Sequence, residues 1–347
     1  KDPAFQAKAR ELTAQDYVYS YKRLLDPGLH SPNSWLLDDK IVGMDKVLEQ
    51  AKKTGKFNYD LPVEGLYAAD RYTLVIKLKQ ADQNFPMLLA HQPAGAVARE
   101  VIERYRDKAG FAMKNPVGTG PYVLSKWVPG SRIILKANPD YRGYIWDFKA
   151  STTKKKKIVD AMKGKAMPQI GVIDIQVMEE SQSRWLSFSK HETDLFILDG
   201  DLVVQAIDKG KLKPELVKKG IQLSRILDPS IDYYYWNMQN PIVGGLSKDK
   251  IALRRAMAMS FSVDNQIKIL QKGDAQRLNF PVPYGVVGHD PQYKTSIPYS
   301  VKAANLLLDR YHYKVGADGW RTLPNGQPLV IEMTTAGNST RSQQGAK

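Results

Sequence analysis

Cysteine is absent from the 347 residues. Its absence excludes disulfide scaffolds, thiolate zinc sites, iron–sulfur clusters and cysteine nucleophiles. It leaves the compartment open, because a chain of this length can bury a core without covalent staples. Long apolar runs are lacking as well. None approaches the ~18 residues of a membrane span, and the stretch 251–259 is broken by Arg254 and Arg255. Histidine is scarce. The five are His30, His91, His191, His289 and His312, and no two lie three or four apart, as chelating pairs on a helix face would. Acidic residues are in deficit, 36 against 51 Lys and Arg, which gives a formal charge of +15. That surplus raises nucleic acid, an anionic surface or an acidic ligand as partners.

Catalytic motifs are lacking too. No Gly-x-Ser-x-Gly elbow occurs. Gly164-Lys165 has no glycine five residues earlier and no Ser or Thr after it, which excludes a Walker loop. Gly118 and Gly120 lack the third glycine of a dinucleotide fingerprint, and Pro121 removes an N–H that a phosphate would need. The carboxylate pairs Asp38-Asp39 and Glu179-Glu180 are sequence neighbours, whose side chains diverge, and neither lies in an apolar run. No enzyme chemistry is expected, and no cofactor or metal.

What is present is a globular pattern: 43% hydrophobic and 25% charged residues, over a length of two to three domains. Thr13 and Asp16 have capping-box spacing ahead of a helix that ends at Asp26-Pro27-Gly28. An amphipathic stretch over 40–53 predicts a second helix. Clean alternation over 71–79 predicts a half-buried strand, and 93–105 reads as helical. Two strands, 122–127 and 132–136, flank the turn Pro129-Gly130. The tract 154–157, four lysines, reads as a basic loop. Further strands are expected at 173–178, 195–198 and 221–226, and helices at 180–188 and 202–208. Ser247 caps a predicted helix through 259, another follows over 263–270, and Ser300 caps one through 310. A hairpin is expected around Pro324-Asn325-Gly326. Helices and strands mix without strict alternation and without an internal repeat, so the class is α/β with mixed sheets.

The lysine tract has no interleaved aromatics, which a single-strand-binding groove would need. The run Tyr233, Tyr234, Tyr235, Trp236 and Asn237 is more informative. Read as a strand, it sends Tyr233 and Tyr235 to one side and Tyr234 and Trp236 to the other. A core absorbs one such face readily. The second carries hydroxyls that need partners, so pocket lining and core packing both stand open from the residues alone.

Several motifs together resemble one family. Residues 12–20 (LTAQDYVYS) resemble its LTA-x-D-V-x-YS helix start, and Asp70-x-Tyr72-Thr73-Leu74 its D-x-x-T strand. Pro116-Val117-Gly118-Thr119-Gly120-Pro121-Tyr122, followed by Asn138-Pro139-Asp140-Tyr141, is similar to its most specific signature. Asn237-Met238, Arg254-Arg255-Ala256 and Asp264 are similar to a later segment. The family is the bacterial extracellular solute-binding proteins of ABC importers, family 5, with peptide-, dipeptide- and nickel-binding members. The resemblance implies a periplasmic-binding-protein-like, two-lobed hinged fold of class II with three subdomains. It implies residues 1–115 as the accessory subdomain of lobe 1, 116–228 as its main sheet subdomain and 229–347 as the start of lobe 2. Tyr233 to Trp236 and Asn237 would then lie by the cleft as ligand-binding residues, and the glycine-proline signature would be structural.

The implied function is capture of a peptide-like or other polar solute and delivery to an ABC permease of the inner membrane. The protein would be an exported periplasmic monomer, with or without a lipid anchor, and with no nucleic-acid partner. Family members are considerably longer. The expectation is therefore a piece truncated at both ends, lacking the export signal and the acidic residue that anchors a peptide's amino terminus. The alternative from the charge alone is a basic nucleic-acid or anionic-surface binder.

Overall fold

The computed structural model describes residues 2–6, 8–198 and 202–334. The chain divides into two units, Lys1–Met178 and Glu179–Lys347. Among the described residues every strand ladder is antiparallel.

The first unit opens with α1 (Ala14–Leu24). The Asp16 carboxylate accepts from the Thr13 backbone N–H at 2.7 Å and from its hydroxyl at 3.2 Å, so Asp does the work of the usual Glu at this cap. Val18, Tyr21 and Leu25 recur at helical spacing and are buried. They meet Met44, Val47 and Ala51 of α2 (Met44–Thr54), with Leu36, Leu37 and Ile41 filling the space between. Helix α2 begins later than its amphipathic pattern and is bounded by Gly43 and Gly55, both with positive φ. Lys22 is buried in this core. Burial pushes its pKa down, and its ammonium donates to the carbonyls of Tyr59, at 2.9 Å, and Leu61, at 2.5 Å.

The strand expected over 71–79 shrinks to β2 (Leu74–Ile76), paired with β1 (Leu66–Ala68) in the register Leu66↔Ile76. The cause lies in Asp70, whose carboxylate accepts from the N–H groups of Tyr72 and Thr73 at 2.8 and 3.0 Å. That turn takes the first residues out of the ladder and leaves Tyr72 exposed. The helix expected over 93–105 is a 3-10 turn, Gln92–Ala94, followed after a break by α4 (Arg99–Tyr105); α3 (Phe85–Leu89) precedes them. Gly95, at φ −65° and ψ 145°, supplies the extended residue that ends the turn.

The hairpin of β3 (Tyr122–Val128) and β4 (Arg132–Ala137) forms as its turn residues predict, and β7 (Val172–Gln176) adds to β4. The Asn138 amide donates to the Gly120 carbonyl at 2.9 Å, and its backbone N–H donates to Pro121 at 2.8 Å. The two halves of the glycine-proline signature are thus clamped together at the mouth of this sheet. Between β4 and β7 the chain makes an excursion through β5 (Tyr144–Ile145), α5 (Thr153–Met162) and β6 (Ala166–Met167). The four lysines lie in α5 and are not a loop. Lysine is a good helix former, the segment has neither Gly nor Pro, and Lys156 pairs with Asp160 at i,i+4, 2.6 Å.

The second unit starts with α6 (Ser181–Ser189), α7 (Val203–Ala206), a two-residue ladder of β8 (Ile207–Asp208) with β9 (Lys211–Leu212), and α8 (Pro214–Lys218). The predicted helix over 202–208 therefore ends in a strand. The strands expected at 195–198 and 221–226 do not form. Both segments are irregular and carry exposed apolar side chains such as Leu195, Ile197 and Ile226, with no partner backbone among the described residues. Residues 199–201 and 335–347 lie outside the described set.

The rest of this unit is built on two packed helices, α9 (Lys248–Ser260) and α11 (Val301–Arg310), with α10 (Val263–Ile269) between them in sequence. Ser262 and Ser300 cap α10 and α11 by accepting from the N–H groups of Asn265 and Ala303. Val243, Leu253 and Tyr313 form the buried centre, packed by Trp236, Met257, Leu308, Leu323 and Leu329. The hairpin expected around 324–326 is present as one isolated bridge, Thr322↔Pro328, and a second bridge, Val315↔Arg321, closes the turn before it. Arg321 reaches from it to Asp309 at 2.7 Å and Asn305 at 3.0 Å, tying the turn to α11.

Candidate solute-contacting segment

The segment 233–237 has no regular secondary structure and joins no ladder, so the strand read from its sequence is corrected. The alternation survives without the sheet. The Tyr233 and Tyr235 rings lie together on one side, centroids 6.2 Å apart, and are 68% and 81% exposed. On the other side the Tyr234 ring meets Phe261 edge-on at 5.4 Å, and its hydroxyl accepts from Gln266 at 3.3 Å. Trp236 enters the Val243–Leu253–Tyr313 core. Trp236 anchors the segment, Tyr234 rests on Phe261 while still 58% exposed, and Tyr233 and Tyr235 present their phenol rings to solvent.

Asn237 is used differently. Its Oδ1 accepts from the Gln239 N–H at 3.0 Å and its carbonyl from the Asn240 N–H at 3.0 Å, which turns the chain out of the aromatic segment. Asn240 repeats the device, its Oδ1 accepting from Ile242 and Val243 at 2.8 and 3.1 Å. The chain then closes on itself, with Gly244 N–H donating to Asn240 and Gly245 N–H to Met238, both at 2.9 Å. A Cβ on Gly244 would stand 2.4 Å from the Met238 carbonyl oxygen and 2.5 Å from that of Asn240. Arg254, from α9, donates to the carbonyls of Val243 and Gly245 at 2.5 and 2.9 Å. The exposed tyrosines therefore stand immediately before a loop, 237–245, pinned by an arginine and by a close approach that only glycine permits.

Sequence reasoning missed Phe261, Gln266, Asn240, Gly244 and this use of Arg254. The run Asn237-Met238-Gln239-Asn240 and the pair Gly244-Gly245 are a turn signal that could have found the loop. Nothing local announces an arginine reaching back from the following helix. Among the described residues no group of three or more His, Asp or Glu could hold a metal ion, and no helix is long and apolar enough to cross a membrane. His289, one of two histidines beside a carboxylate, spends its Nδ1 on the Val282 carbonyl at 2.6 Å.

The fold is that of the class II periplasmic peptide-binding proteins. The oligopeptide-binding protein AppA from Bacillus subtilis superposes with a TM-score of 0.60 at 16% identity, over 92% of this chain and 53% of that one. Residues 9–347 match the family described as bacterial extracellular solute-binding proteins, family 5 Middle, and the chain belongs to that family. The family consists of solute-binding proteins of ABC importers and not of enzymes, and its members are periplasmic. The chain is 37% identical to the periplasmic oligopeptide-binding protein OppA of Escherichia coli over 131 residues, 38% of this chain and 23% of that protein. It is 26% identical to OppA of Salmonella typhimurium over 275 residues, 79% of this chain and 43% of that protein. The chain thus spans less than half the length of these relatives.

Proposed function

We propose that the protein is the substrate-binding receptor of an ABC importer and that its solute is peptide-like. It works as an exported periplasmic monomer, with or without a lipid anchor, and hands its solute to an inner-membrane permease. Its three subdomains are 1–115, 116–228 and 229–347, and the solute lies in a cleft that closes over it. The mechanism is capture and release, without bond chemistry and without a nucleic-acid partner. The similarity to oligopeptide-binding proteins supports the solute class.

The observation that carries the reading is the exposed Tyr233–Tyr235 pair on a segment anchored by Trp236. Two phenol rings on a fixed backbone offer large contact area, polar tips and little conformational entropy to lose. That combination suits a ligand whose side chains vary while its backbone does not. Tyr234 and Trp236 hold the segment, and Asn237 turns it.

The test is titration of the whole protein with tri- to pentapeptides, read by thermal shift and calorimetry. A peptide is expected to raise the melting temperature. Tyr233→Ala with Tyr235→Ala is expected to weaken that peptide about tenfold or more. Both side chains are exposed, so the stability without peptide is expected to change by less than about 0.5 kcal/mol each. Equal affinity in the double variant, or no stabilising peptide, overturns the reading.

A further inference from the structure

We propose that the excursion over residues 141–167 of the first unit is a docking surface for an anionic lipid bilayer. It holds eight basic residues against two acidic ones, Asp147 and Asp160, and so concentrates charge that is otherwise spread along the chain. Lys155 and Lys157 stand exposed on α5 beside Ile158, which is 67% exposed. Among the described side chains of α5 none is fully buried, and Val159 and Met162 are half-buried. A helix this lightly anchored, with an aliphatic side chain turned to water among lysines, has a face without a partner.

The neighbouring strand adds the second half of the surface. The backbone of Trp146 exchanges two hydrogen bonds with the segment after α5, to Gly164 and Lys165, each 2.9 Å. Around it Tyr144 meets Phe148 at 6.2 Å, and Trp146 meets Phe148 at 4.8 Å, both edge-on. Tyr144, Ile145 and Phe148 are exposed. Aromatic rings and isoleucines at the depth of lipid headgroups, flanked by lysines facing phosphodiesters, are the two components of interfacial binding.

A nucleic acid fits the same patch less well. Base stacking needs free ring faces, and here the rings pack edge-to-face on one another, while Ile145 and Ile158 offer nothing to a base. The occupant with both complementary charge and an apolar boundary layer is the bilayer. Such contact would hold the protein near a membrane surface without a spanning segment.

The experiment is sedimentation of the whole protein with vesicles of phosphatidylcholine alone, or with a quarter of it replaced by phosphatidylglycerol. Partition onto the anionic vesicles is expected, falling as salt is raised. Lys155→Gln with Lys157→Gln is expected to lower the partition coefficient about thirtyfold. Glutamine is also a good helix former, so α5 is retained. Ile158→Ser is expected to lower the coefficient about tenfold through the apolar part alone. Equal partition onto neutral vesicles, equal partition of the variants, or tighter binding to a single-stranded oligonucleotide at the same salt each overturns the proposal.

Discussion

Alanine at position 244 is expected to cost the second unit about 2–3 kcal/mol, the range for overpacking a site that cannot relax. The added Cβ would meet two carbonyl oxygens at 2.4 and 2.5 Å. Both belong to backbone, so no rotamer change relieves the contact. Relief requires moving Met238 or Asn240, and each move breaks a hydrogen bond that closes the loop. The neighbouring glycine provides the control. Gly245 has φ +83° but nothing nearer than 3.7 Å to its added Cβ. Its alanine variant meets only the left-handed penalty, about 1–2 kcal/mol. Denaturant titration followed by native-state hydrogen exchange should rank Gly244→Ala below Gly245→Ala. The lost protection should fall on residues 238–245 and on α9, where Arg254 holds the same loop. Equal loss in the two variants would mean that space at Gly244 is not the constraint. Under the proposed function Gly244→Ala also weakens peptide binding, because the displaced carbonyls lie next to the turn at Asn237 that orients the tyrosines.

What was legible in the sequence was legible for local reasons. The Thr13–Asp16 cap, the Pro129-Gly130 hairpin, the Ser300 cap of α11 and the turn at 324–326 are specified by residues a few positions apart, while Ser247 begins α9 without a side-chain cap bond. What failed needed a distant partner. Alternation over 233–236 announced correctly which rings share a side: Tyr233 lies beside Tyr235, while Tyr234 and Trp236 turn to Phe261 and the core. It could not announce a sheet, because a ladder needs a second backbone and period two only describes the first. The same holds at 195–198 and 221–226. At 71–79 the opposite happened: the partner exists, but Asp70 captures the first N–H groups before the ladder can. The lysine tract forms helix rather than loop because lysine's helix propensity, with no Gly or Pro in the segment, prevails over the repulsion among its charges. The aromatic half of the candidate site was visible as composition. Its support, an arginine from the next helix and a glycine without room for a methyl, was visible only in three dimensions.

Removal of the Asp16 carboxylate is expected to destabilise the first unit by about 3 kcal/mol, as for one partner of a buried ion pair. Asp16 is 3% exposed. It receives both Arg10 terminal nitrogens at 2.6 Å and caps α1 through Thr13. Arg10 extends the pair to Glu100 of α4 at 3.1 Å, so one carboxylate links the start of α1 to a second helix. Burial by itself would raise the Asp16 pKa. The hydrogen bonds from Arg10 and Thr13 outweigh it and hold the group below the usual carboxylate range. The sign of the pH dependence follows. With the folded value depressed, the contribution is fully present above the ordinary aspartate value, about 4. It is lost as pH falls through the folded value, because the unfolded chain takes up the proton first. Asp16→Asn should therefore lower stability at neutral pH and flatten the acid limb of the stability curve. Exposed pairs such as Arg71–Glu11 lose little on the same descent, being screened by solvent. Urea titrations of both proteins between pH 7 and about 3 measure the difference directly. Parallel curves, offset but equal in slope, would mean that Asp16 contributes through shape and capping alone, with no linkage to its charge.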